Sequence, residues 1–350
     1  MRRLRPSLAL VALTLALGPA AGCTPRSEAG KGAAEEQKAA PAKAAETQPA
    51  EPGASGGVLK ALAEEPKQVE PAPPPEIKVI DAGAEPRVAM RAKVAAGQEQ
   101  PMIMTMTIGM SMNVAGSATP YIKMPPTVMD MRTKVTSVSS NGDFRYEFDL
   151  RGIDVEAQAD TPPDLVVGLK SALSGMVGMR GSSVVSERGE VREADFQLPP
   201  NAPPQVQQQM QGMRQSIQQI AVPFPEEAVG LGAKWEVIAR IPDLNGMSLT
   251  QTATYEMLER DGDRIKLRTT MAQSADPQIM KAPGMPPGAT VRLESMASSG
   301  AGETLFDMHK LVPISATMSL SSKISMLIDT GVQKQPMNMA MDMSLAVKGE

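Results

Sequence analysis

The sequence predicts a mostly β domain of the α+β class: an antiparallel sheet curled into a half-barrel, with two helices covering its apolar face. A β-sandwich is the alternative. Three observations carry this reading. Long segments alternate apolar and polar residues with period two, as strands with one buried and one wetted face do. Turn dipeptides of the Asn-Gly and Asp-Gly kind separate those segments. Two stretches alone switch to a helical period. Clean alternation also argues against a parallel sheet covered on both sides, whose strands read as continuous apolar runs.

Taken in order, Met102, Met104, Met106, Ile108, Met110, Met112 and Val114 fall on one face of the first long strand, opposite Thr105, Thr107, Ser111 and Asn113. Met129 and Met131 repeat the spacing. Ser140-Asn141-Gly142-Asp143 predicts a type I′ hairpin turn into a strand carrying Phe144, Tyr146, Phe148 and Leu150 on one face. Thr161-Pro162-Pro163 then predicts a capped helix start, followed by Leu165, Val166, Leu169, Leu173 and Val177 on one helical face. Arg188-Gly189 joins expected strands Ser182–Ser186 and Glu190–Asp195. From Ala202 to Ile220, the residues Val206, Met210, Met213, Ile217 and Ile220 form a narrow apolar stripe on a Gln-rich second helix, better suited to packing on its own sheet than to a partner. Asp261-Gly262 joins Met247–Leu258 to Arg264–Met271 in the manner of the Asn-Gly turn, and Ile314–Leu320, Lys323–Ile328 and Met337–Val347 complete the sheet.

The N-terminus has a different character. Arg2, Arg3 and Arg5 precede an apolar run from Leu8 to Leu17 and the small residues Ala20, Ala21 and Gly22. These are the parts of a secretory signal peptide, over residues 1–22. The run is too short to span a bilayer, which takes about 20 apolar residues. Ala20-Ala21-Gly22-Cys23 resembles the lipobox of exported bacterial lipoproteins, with Ala20 where Leu is commonest. The resemblance implies that Cys23, the single cysteine of the chain, receives a diacylglycerol and becomes the new N-terminus. Thr24 in place of Asp is similar to outer-membrane sorting signals. The expected location is therefore the bacterial cell envelope, lipid-anchored at the outer membrane.

Residues 23–84 are rich in Ala, Pro, Glu and Lys, as in Pro71-Ala72-Pro73-Pro74-Pro75. Such a composition cannot bury enough apolar surface to offset ordering entropy and predicts a disordered tether. A coil of about 50 residues spans roughly 40 Å. Residues 85–350 read as one globular domain, long enough for a sizeable core.

Pro223-Phe224-Pro225-Glu226-Glu227-Ala228-Val229-Gly230-Leu231-Gly232-Ala233-Lys234-Trp235 resembles a Pro-x-Glu-x-x-Val-Gly-x-Gly-x-x-Trp segment of an uncharacterised family of bacterial envelope lipoproteins. That resemblance implies a domain similar in architecture to lipoprotein-carrier half-barrels, and no established activity. The residues explain themselves without chemistry. Gly230 and Gly232 permit a tight turn, and Trp235 opens a strand and anchors the core. A nucleotide loop would need a third glycine and a following helix.

The formal net charge is −4, and no Lys/Arg block interleaves with aromatics, so nucleic acid is not an expected partner. The one histidine, His309, lies near Asp307, without a Gly-x-Ser-x-Gly elbow or a His-Glu-x-x-His helix. No catalytic residue, cofactor or zinc site is expected, and the chain reads as a binding protein rather than an enzyme. The 27 methionines are the anomaly, set against only 3% aromatic residues. Met is unbranched and polarizable and fills irregular cores. It also lines pliable apolar grooves, and its thioether suits Cu(I) or Ag(I). The expected groove is lined by Met104, Met106, Tyr146, Phe148, Met339 and Met341, and would hold a lipid or an envelope partner's apolar segment. The alternatives are a structural lipoprotein without a ligand and soft-metal binding through Met-x-Met strands.

Overall fold

The computed structural model describes residues 74–159, 161–199, 224–244, 247–280 and 289–349. The signal peptide, Cys23, most of the expected tether and the expected second helix at Ala202–Ile220 lie outside the described residues.

The strands are β1 (Glu76–Asp81), β2 (Glu99–Val114), β3 (Ser117–Ala118), β4 (Ile122–Lys123), β5 (Thr127–Val138), β6 (Phe144–Val155), β7 (Arg180–Val185) and β8 (Val191–Gln197). They continue with β9 (Lys234–Leu244), β10 (Met247–Asp261), β11 (Arg264–Ala275), β12 (Gln278–Met280), β13 (Thr290–Asp307), β14 (Ser315–Asp329) and β15 (Lys334–Gly349). Among the described residues one helix, α1 (Pro163–Ser174), interrupts them. All belong to one antiparallel sheet ordered β1-β9-β10-β11-β13-β14-β15-β2-β5-β6-β7-β8, with β12 on β13 and β3 and β4 on β2. The sheet is not closed, and its continuity replaces the sandwich alternative.

The sheet must curl. Ala92 N donates to Glu187 O, in the β7–β8 turn, while its neighbour Lys93 donates to Met308 O, just past β13. Those strands lie six places apart in the order, about 29 Å in a flat sheet. Successive Cα atoms are only about 3.8 Å apart. The same segment continues to β5, where Gly97 N donates to Val135 O. Residues 84–98 thus cross one end of the curled sheet as a floor.

Arginines hold the seam beneath it. Arg91 donates from its two Nη atoms to Pro225 O (3.1 Å) and Glu226 O (3.0 Å), and its Nε lies 3.1 Å from Glu187 Oε1. The Arg188 carbonyl and guanidinium are equally engaged: Phe224 N donates to Arg188 O, and Arg188 Nε donates to Phe224 O.

The floor also decides what covers the apolar face. The lower core joins Trp235, Val237, Tyr255, Met257, Leu267 and Phe306 of the sheet to Met90, Phe224, Val229 and Met308 of the connecting segments. The helices were expected to do this. Instead α1 buries none of its residues and leans on β6, with Lys170 Nζ 2.7 Å from Asp154 Oδ1. Its expected stripe is real but only half-buried at Leu165, Val166, Leu169 and Leu173, and Val177 is exposed. Curling brings the strand ends together, so loops pack inside where a flat sheet would need helices. Thr161 does not cap the helix either: the N-cap is Pro162, and Thr161 Oγ accepts from Gln158 N.

Other local readings shift. β1 begins ahead of the domain boundary expected at 85, with Ile77 and Val79 packed on the lower core. The Asn141-Gly142 turn is not type I′, because only Gly142 has positive φ (84°). Gly142 N donates to Ser139 O and Ser139 N to Asp143 O, which is a type I turn closed by a glycine bulge. Ser186–Glu190 repeats this geometry around Gly189. In the β10–β11 hairpin the loop is Gly262-Asp263, and only its first residue has positive φ, the sign pattern of a type II′ turn. Ser321 and Ser322 do not separate two strands but lie within β14. Trp235 does open a strand, β9, as its segment predicts.

Candidate functional site

Directly paired residues of an antiparallel ladder share a face. One inward row runs Ala239, Gln251, Gln273, Ser298, Ser322, Met341, Met110 from β9 to β2. It is a polar belt at the β10–β14 end: Gln273 Nε2 donates to Gln251 Oε1 at 2.8 Å, and Ser298 and Ser322, both buried, share a bond of 2.7 Å. Below the belt lies the lower core. Above it Ile241, Leu249, Leu293, Met296 and Met326 form a second apolar cluster. The belt was not anticipated, although its signal exists: Gln273 has the parity of Ile265, Leu267 and Met271 on β11, and so must face inward with them.

Where the belt meets β15 and β2, the inward residues become methionine. Met341 pairs with Met110 and Met339 with Met112, while Met343 opposes Ile108 and Met337 opposes Val114. All six of Met110, Met112, Met337, Met339, Met341 and Met343 are half-buried. Nearer the floor the methionines of β2 and of its other neighbour, β5, are core. Met102, Met104 and Met106 on β2, and Met129 and Met131 on β5, are buried.

The expected groove residues therefore divide. Met339 and Met341 lie on the half-open surface. Met104, between Val347 and Met129 in the ladder, and Met106, between Leu345 and Thr127, are core. Tyr146 and Phe148 are buried in the β5–β8 wall. Phe148 stacks obliquely on Phe196 with centroids 5.5 Å apart, over Gly181, where a Cβ would stand 2.4 Å from its ring. Burial pushes the Tyr146 phenol up to about 12, against a hydrogen bond with Ser183. All six share the inner face, but height along the strands separates them. Cys23 lies outside the described residues.

His309 sits at the floor. Its Nε2 is 2.5 Å from Asp263 Oδ2, and Lys93 Nζ is 2.6 Å from Asp263 Oδ1. Its backbone N donates to Asp307 Oδ1 at 3.3 Å and its carbonyl accepts from Gln98 Nε2 at 3.0 Å. The type II′ turn that ends in Asp263 thus meets the floor segment and the β13–β14 connection through one carboxylate. This geometry is a brace. Burial acts to raise the Asp263 carboxyl pKa, but the bonds and charges of Lys93 and His309 outweigh it and hold the group below its usual range. A depressed carboxyl contributes stability above its unfolded pKa and loses it as pH falls through the folded value. The Asp263 side chain is more than a third exposed, and solvent screening reduces what its ion pairs contribute, so Asp263→Asn should cost about 0.5–1 kcal/mol near neutral pH. Its urea midpoint should converge on that of the wild type as pH drops below the ordinary carboxylate range. A gap that persists in acid would show that the carboxylate charge is not what braces the floor.

Among the described residues, no group of three or more His, Cys, Asp or Glu side chains is placed to hold a metal ion. An open depression between Ser111, Asn113, Ala297, Lys323, Ser325 and Asn338 has one charged residue in its lining, Lys323.

No family model matches the chain, and no curated protein matches it. Among solved structures it is similar to the "TodX monoaromatic hydrocarbon channel deltaS2 mutant", at 9% identity and a TM-score of 0.18, covering 73% of this chain and 90% of that one. The outer membrane protease OmpT from Escherichia coli gives 9% identity and a TM-score of 0.18, covering 72% and 96%. The P. putida toluene transporter TodX gives 8% and 0.17, covering 73% and 90%. Scores this low carry no argument about activity or location.

Proposed function

We propose that this chain is a lipid-anchored envelope protein that works by binding, its half-barrel holding an apolar chain along the methionine-lined part of the inner face. The observation that supports the reading is the division of that face. Methionines near the floor are buried and fill core, whereas Met110, Met112, Met337, Met339, Met341 and Met343 on the adjoining strand halves keep partial exposure. Inward-facing apolar side chains that the described residues leave partly uncovered are the lining a ligand groove requires. Methionine suits variable occupants, since its three torsions let the wall re-pack. The Gln251/Gln273 and Ser298/Ser322 belt runs into the same strip. It offers polar partners to the head of an amphiphile whose tail lies on the methionines, so a lipid or fatty acid fits better than a pure hydrocarbon.

Cys23 supplies the other half of the proposal, an acyl anchor holding the domain at a membrane that contains such lipids. The uncharacterised lipoprotein family suggested by Pro223–Trp235 agrees with this and rests on those residues alone. Native mass spectrometry of the full chain, purified from the membranes of its own host, is the test. A lipid adduct on the folded protein is expected, lost in Met339→Lys/Met341→Lys, which places two charges on the strip and leaves the buried methionines intact. An empty wild-type protein, or an adduct that the lysines do not displace, would overturn the groove.

A further inference from the structure

The register of β2 and β15 points to something more specific within that strip. Met110 and Met341 are direct partners, and so are Met112 and Met339. Four thioethers therefore leave one face as a two-by-two block. Its sides are the cross-strand separation, about 4.5–5.5 Å, and the two-residue repeat, about 7 Å. All four residues are half-buried, so the block is neither sealed in core nor open to bulk water.

We propose that Met110, Met112, Met339 and Met341 form a binding site for a soft monovalent cation, Cu(I) or Ag(I). Four neutral sulfur donors suit a soft ion of low charge and offer nothing to hard Mg²⁺ or Ca²⁺, which take oxygen ligands. Three side-chain torsions give each sulfur the reach to converge on one ion from a block of these dimensions. The surroundings agree. The ladder neighbours on β14 are Ser322, opposite Met341, and Ile324, opposite Met339, neither of them charged. Among the described residues no carboxylate shares this part of the face to draw in a divalent competitor: Asp342 has the opposite parity and is held on the outer face by Tyr121 and Ser321. The ion binds as a cation already in its monovalent state, so no redox step is involved.

The site shares residues with the proposed lipid groove but not its chemistry, and leucine tests the thioethers. Leucine conserves the apolar volume of methionine and removes the sulfur. Titration of the full chain with Ag(I), followed by native mass spectrometry, should show one silver ion bound. The fourfold variant Met110→Leu/Met112→Leu/Met339→Leu/Met341→Leu should bind it at least about a hundredfold more weakly, more than loss of an outer-shell partner causes. The lipid adduct is read on the wild-type chain before silver is added, so that failure of the metal site and failure of the groove give different results. Should the fourfold variant not fold, Met110→Leu/Met112→Leu and Met339→Leu/Met341→Leu must each weaken silver binding. A wild-type chain that binds no silver, or leucine variants that bind it equally, would refute the site.

Discussion

Trp235→Ala is expected to cost about 3–5 kcal/mol of folding stability, the range for emptying a large aromatic site in a packed core. Trp235 is fully buried in the lower core. Its ring stacks on Tyr255 with centroids 5.4 Å apart and planes 17° from parallel, a contact worth about 0.5–1.5 kcal/mol beyond burial. Tyr255 is itself buried, which pushes its phenol far above the ordinary value. The pair sits where β9 and β10 meet the floor, so the cavity would open beneath the segment that carries the curl. Among the described residues, the Trp235 indole N–H finds no hydrogen-bond partner. A buried unpaired donor costs about 1–3 kcal/mol. Trp235→Phe removes that donor while keeping most of the ring, so it should lose much less than the alanine variant. Urea unfolding of the two variants beside wild type checks both statements. An alanine variant within about 1 kcal/mol of wild type would show that the floor packs without this anchor.

What could be read from the sequence, and what could not, follows from the physics of strands. Facing is a period-two property of a single segment, so the inward sets of β2, β6, β11 and β15 were legible residue by residue. β13 was not, because its inward positions include Ser298, Gly300 and Gly302, whose small size hides the alternation. β1 was hidden by the prolines before it, and it exists only because β9 is there to pair with Ile77 and Val79. Turn type escaped for a related reason. Asn141-Gly142 locally favours a two-residue turn, but the paired strands leave three residues between Ser139 and Asp143, and that count selects the bulged form. The candidate groove shows the same limit. That Met104 and Met339 face the same side is a matter of parity. That one is sealed and the other half-open depends on where residues 84–98 cross, a tertiary fact with no signature within either strand.

Cys23→Ser should move the chain from the membrane fraction to the soluble fraction, the largest change in behaviour expected of any single substitution. The argument is one of partition energy. Each buried methylene contributes about 0.8 kcal/mol, yet one myristoyl chain gives only a marginal association constant near 10⁴ M⁻¹, so stable anchoring takes a second signal. The resemblance at Ala20–Cys23 implies a diacylglycerol on the thiol, which supplies two chains at one atom. Among the described residues, no helix is long and apolar enough to cross a membrane. Serine cannot form the thioether, so both chains are lost together and the affinity falls by orders of magnitude. Fractionation after a high-salt wash reads the outcome, and the mass of the N-terminal peptide reads its cause: the wild-type peptide should begin at Cys23 and carry the lipid. A wild-type peptide without lipid would refute the anchor directly. A serine variant that stays on the membrane while the wild type is lipidated would mean that the sheet itself binds the bilayer, and the half-open methionine strip would then be the surface to examine for that contact.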